Sequence, residues 1–116
     1  MNPYDKAHEL ARALQSSQEF QLLHDLKKCV DQDPAVKKML DDFRRRQWDL
    51  ETRRLMGEEI IESDLEQMTR LQEALSVNET ARRYLEAEYR FGMIYSDVHK
   101  ILGEAVRDVI AQPETM

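Results

Sequence analysis

Cysteine occurs once in the 116 residues, at Cys29, so no disulfide can staple the chain to itself. Glycine and proline number three each, and no run alternates polar with β-branched apolar residues, which leaves sheet without support. Hydrophobic residues make up 41% and charged residues 34%, against roughly a quarter charged in an ordinary domain. Such a supply suits long helices with narrow apolar faces, which complete their core by associating. No eighteen consecutive apolar residues are available to span a bilayer, and "MNPYDKAHEL" lacks the basic and apolar regions of a secretory signal. A cytoplasmic chain without membrane insertion is therefore expected. The net charge of −6 disfavours a general binder of nucleic acid, although a local basic patch survives that average.

What is present is helical punctuation. Asn2-Pro3 offers a cap followed by proline at the first helical position, and Tyr4, Ala7, Leu10, Ala11 and Leu14 recur on one face. Ser16 with Glu19 reads as a capping box leading into Phe20, Leu23, Leu26 and Val30. Asp33-Pro34 opens a third helix, which runs through Val36, Met39, Leu40, Phe43 and Leu50 toward Gly57. Ser63 with Glu66 reads as another capping box, and Asn78 caps the last segment. The expected helices are 3–15, 17–32, 34–56, 63–76 and 78–111, in one all-α domain spanning 1–116.

The last helix carries the strongest period. Val77, Ala81, Tyr84, Glu88, Phe91, Tyr95, Val98, Leu102, Ala105 and Val109 follow steps of four and three, with Ala87, Ile94 and Ile101 beside them. That face is too wide for one neighbour. Tyr84, Phe91, Ile94, Tyr95, Val98 and Leu102 are accordingly candidates for a core or a subunit seam. Glu88, the one charge in the stripe, reads as a rim glutamate or as half of an ion pair. Gly92 and Gly103 read as points of close helix approach.

Five arginines fall in eleven residues: Arg44, Arg45, Arg46, Arg53 and Arg54. On a wheel of about 100° per residue with Phe43 at zero, Val36, Gln47, Leu50 and Arg54 define the buried face. Arg44, Arg45 and Arg46 then point three different ways. Asp41 to Arg45, Asp42 to Arg46, Asp49 to Arg53, Asp41 to Arg44 and Glu51 to Arg54 are within helical reach, so a solvated face explains the run more simply than a phosphate site. Trp48 lies well off the core face with Leu55 one heptad on. Either an N-terminal helix of the same chain covers this edge or a partner does.

Catalytic patterns are thin. His8, His24 and His99 form no short ligand motif, nucleophile motifs and phosphate-cradling glycine loops are absent, and Cys29 reads as a small buried hydrophobe. No enzyme activity and no cofactor are expected.

The segments "YDKAHELARALQSSQEFQLL", "DPAVKKMLDDFRRRQWDLETRRLMGEEI" and "YLEAEYRFGMIYSDVHKILGEAV" together resemble the bacterial YlbF/YmcA/YheA family, its YheA-like branch above all, from Tyr4 to about Ile110. The resemblance implies two long helices in an antiparallel hairpin, assembled as a homodimer or higher homo-oligomer. It also implies a regulatory setting, since YlbF and YmcA are cell-fate regulators of sporulation, competence and biofilm formation. They associate with a further protein and are linked to RNA processing. The iron–sulfur clusters of that regulatory complex are not carried over, because Cys29 alone cannot hold one. The resulting expectation is a non-enzymatic interaction protein with family-related regulators as possible partners. The alternative is an RNA-associated protein that aligns Arg44, Arg45, Arg46, Arg53 and Arg54 on oligomerisation, and the same arginines are candidates for contact with an acidic protein segment.

Overall fold

The computed structural model describes residues 2–110 and folds them into five α-helices: α1 Pro3–Ser16, α2 Gln18–Asp31, α3 Pro34–Leu55, α4 Glu62–Val77 and α5 Glu79–Val106. No strand occurs among the described residues. Three starts follow directly from the expected caps. The Asn2 side chain accepts from the Tyr4 amide at 2.8 Å, Asp33 from Val36 at 3.3 Å, and Asn78 from Ala81 at 3.0 Å. Each cap is worth about 1 kcal/mol.

Two starts differ from expectation. Ser17, not Ser16, caps α2 by accepting from the Phe20 amide at 3.2 Å, while the Ser16 hydroxyl donates to the Arg12 carbonyl and closes α1. Helix α4 begins at Glu62, ahead of the expected Ser63 cap. There the Asp64 carboxylate accepts from the Ile61 amide at 3.3 Å and is also held by Arg53 of α3, a tertiary tie that local spacing does not reveal. At the other end of that loop Gly57 has φ +80°, the left-handed conformation that stops α3. Helix α5 ends at Val106, short of the expected 111, which lies outside the described residues.

Packing rearranges the expected hairpin. Helices α3 and α4 run antiparallel: Arg53 meets Asp64 beside the loop, Arg46 meets Gln67 midway, and Phe43 and Leu75 lie together at the far end. The long pair α3 and α5 meets only narrowly, around Arg44. Helix α5 instead lies mainly against α2, where Phe20 packs edge-on to Phe91 with ring centroids 5.5 Å apart. The core is small: Leu26, Val30, Val36, Leu40, Leu75, Ala81, Tyr84 and Ala87, with Phe43 and Leu85 among the half-buried residues at its edge.

Helix α1 buries no residue and touches α2 alone. Cys29 is exposed, a correction to its reading as buried, since Leu26 and Val30 take the inward face of α2. At Gly92 a side chain would meet open space, so the expected close approach is absent there. The radius of gyration is 18.1 Å, against about 13 Å for a compact chain of this length. The accessible surface is 9404 Å², against about 6,600 Å² for a folded monomer of this mass. By itself the chain is an open frame.

Candidate functional site

Helix α5 divides into two halves by length alone. The 14 residues of α2 extend about 21 Å and the 28 of α5 about 42 Å, so α2 covers half of it. Ala81, Tyr84 and Ala87 are buried, whereas Phe91, Ile94 and Val98 are half-buried. Tyr95 and Leu102 are 51% and 54% exposed, and Ile101 lies open beside them. Tyr95 packs edge-on to His99, ring centroids 4.5 Å apart, one turn along the same face. Tyr84 thus belongs to the core of the chain, while Tyr95 and Leu102 lie on an apolar face that no helix of the chain covers.

A second uncovered edge lies on α3. Trp48 is 72% exposed and Leu55 80%, with Met56 beyond them. The N-terminal helix does not cover them, because α1 packs on α2 instead. The buried face of α3 is also narrower than the wheel suggests. Val36, Leu40 and Leu50 are buried and Phe43 is half-buried, but Gln47 and Arg54 are exposed.

The arginines find partners, several of them on other helices. Arg44 crosses to α5, where it pairs with Glu88, donates to the Tyr84 hydroxyl at 3.4 Å and lies over the Tyr84 ring at 5.5 Å. Partial burial works to lower the Arg44 pKa, but the Tyr84 hydroxyl and Glu88 together raise it. The one charge in the long stripe is thereby neutralised inside the chain. Arg45 pairs with Asp42 at 3.7 Å rather than with Asp41, and Arg54 pairs with Glu51 at 3.8 Å as expected. Arg46 reaches the Gln67 amide of α4 rather than Asp42, which pairs with Lys38 at 3.4 Å.

Arg53 is the most connected, with Asp49 at 3.5 Å, Glu58 at 3.2 Å and Asp64 at 3.0 Å. It binds the α3–α4 loop to both of its helices. Its bond to Asp64 raises the arginine's pKa and holds the Asp64 carboxyl below the usual range. A depressed carboxyl stabilises the fold above its unfolded-state pKa of about 3.9, and that contribution is lost as pH falls through the folded value. Asp64→Asn keeps the acceptor for the Ile61 amide and removes the charge. The variant is expected to melt below the parent at pH 7, with the gap closing as pH falls below the ordinary carboxyl value of about 3.9; a gap independent of pH would exclude this role.

Among the described residues no group of three or more His, Cys, Asp or Glu side chains is arranged to hold a metal ion. None of the described helices is long and apolar enough to cross a membrane.

Residues 4–107 match the protein family described as "Control of competence regulator ComK, YlbF/YmcA". A UPF0342 protein of Shouchella clausii is 38% identical over 112 residues, covering 97% of this chain and 95% of its own. One from Symbiobacterium thermophilum is 42% identical over 103 residues, 89% of this chain and 92% of its own. Among solved structures, a DUF964 protein from Bacillus stearothermophilus superposes with a TM-score of 0.75 at 22% identity, covering 91% of this chain and 93% of that one. The yheA protein of Bacillus subtilis superposes with a TM-score of 0.63 at 26% identity, covering 95% and 100%.

Proposed function

The chain belongs to the family described as control of the competence regulator ComK, YlbF/YmcA, and from that membership we propose that it is a non-enzymatic helical interaction protein. It works in the cytoplasm as a homodimer or larger assembly and regulates by presenting helix faces to family-related proteins. The observation that carries this reading is the uncovered distal half of α5. An apolar stripe continues past the reach of α2, on a chain that leaves about 2,800 Å² more surface in water than a compact fold of its mass. A standard protein interface buries about 1,600 Å² in total, so that excess is ample for one.

The RNA reading is the weaker one. Arg44, Arg45, Arg53 and Arg54 are engaged by carboxylates, which reduces the charge available to a phosphate backbone.

Light scattering on the purified chain tests the assembly: a mass of twice 13.7 kDa or a higher multiple is expected, and 13.7 kDa at micromolar concentration would overturn it. Trp48→Ala tests the α3 edge. Its melting temperature is expected to stay at the parent's value, since truncating an exposed side chain changes stability by about 0.5 kcal/mol at most. Capture of partner proteins from the bacterial host, with ribonuclease present, is expected to drop about tenfold or more. A loss of stability with unchanged capture would give Trp48 a purely structural role.

A further inference from the structure

Helices α3 and α4 enclose an open groove of about 580 Å³ into which three arginines converge, Arg45 and Arg46 from α3 and Arg70 from α4, around the apolar side chain of Leu71. Two carboxylates, Asp42 and Asp49, also line it, and both are already answered. Asp42 pairs with Lys38 and Arg45, and Asp49 with Arg53 at 3.5 Å. The partner of Arg46 is a neutral amide, Gln67, and the Arg70 guanidinium forms no ion pair among the described residues. The groove therefore holds positive charge in excess beside an apolar contact.

We propose that this groove docks an acidic segment of a partner polypeptide, its carboxylates on Arg46 and Arg70 and on Arg45 as it gives up its 3.7 Å contact to Asp42, which Lys38 holds at 3.4 Å, with an apolar side chain against Leu71. Guanidinium and carboxylate match in planar, two-pronged geometry, which favours arginine for this task. A nucleic-acid backbone fits less well. It needs a continuous basic track, and this one is bounded by Glu62, Glu66 and Glu73 on the far side of Arg70 and is interrupted by Asp42 and Asp49. A few carboxylates can sit within those limits where a run of phosphates cannot. The inference rests on the interaction reading and names the chemistry of the partner.

The test is fluorescence anisotropy with a labelled octapeptide of glutamates carrying one central leucine. The same peptide with lysine replacing glutamate and a ten-nucleotide oligouridylate serve as comparison probes. Saturable binding of the acidic peptide is expected, weakened tenfold or more by Arg70→Glu and by Arg45→Glu, with the lysine peptide inert. Both positions are solvent-exposed, so the variants are expected to keep the parent's circular dichroism and melting curve. Absence of saturable binding, an affinity unmoved by both folded variants, or tighter binding of oligouridylate through the same arginines would each overturn the proposal. Light scattering of the same samples separates the two ideas. A multimer that ignores the peptide defeats the groove alone, and a monomer that binds it defeats the self-assembly alone.

Discussion

Replacing Tyr95 and Val98 together with glutamate is expected to reduce the particle to the 13.7 kDa monomer while leaving its helix content nearly intact. Both residues lie on the distal half of α5, beyond the cover of α2, so the monomer's own core gains no charge in its interior. In a subunit seam the same two carboxylates lose their water without finding partners, at a cost of several kcal/mol each. That corresponds to about a thousandfold or more in the association constant. Light scattering reads the mass, and far-ultraviolet circular dichroism confirms that the helices remain. An unchanged mass and melting temperature would remove α5 from the seam. Collapse of the helical signal would instead place these side chains in the core of the single chain.

The other large effect concerns stability. Leu75, 2% exposed, stands where the end of α4 meets Phe43 and Leu85, and Leu75→Ala should destabilise the chain by about 3 kcal/mol. For a domain of this size that lowers the melting temperature by roughly 10–15 °C. The loss is severe because so few residues are fully buried that a small core loses a large share of its packing. Leu55→Ala, at 80% exposure on the outer edge of α3, provides the comparison. Its cost is expected to stay below about 0.5 kcal/mol. Equal losses at the two positions would show that Leu55 is enclosed by the assembly.

Local chemistry was legible in the sequence wherever one residue decides it. Asn2, Asp33 and Asn78 cap the helices they precede because an extended backbone and a short polar side chain suffice to satisfy an amide two or three residues on. Where two residues compete, spacing alone misleads. Ser16 has a glutamate three residues on, yet Ser17 is the cap, and Ser16 satisfies its hydroxyl on the preceding turn. Interactions between helices were the least legible. Arg44 has Asp41 close by in sequence and reaches Glu88 instead; Arg46 passes over Asp42 for Gln67, and Arg53 fixes the start of α4 through Asp64. The α5 stripe shows the limit most clearly. Its period is the same around Tyr84, which the chain buries, as around Tyr95, which it leaves open. A repeat reports that a face is apolar, and not whether the chain itself covers it. Of the groove's arginines, Arg45 and Arg46 stood out in the run on α3 as candidate contacts for RNA or an acidic partner, but Arg70 and the groove itself had no signal, because the groove exists only once α4 has folded back along α3.

Asn78 is the whole of the connection between α4 and α5. Mechanically, that makes α5 a lever about 42 Å long pivoting on a single residue. A 10° rotation there would carry the free end through about 7 Å, more than the pitch of one helical turn. The joint is thus a poor guarantor of where Tyr95 and Leu102 stand. Their position is set by the clamp of α2 along the proximal half, where Phe20 grips Phe91, so a change that loosens this grip is felt most at the far end of α5.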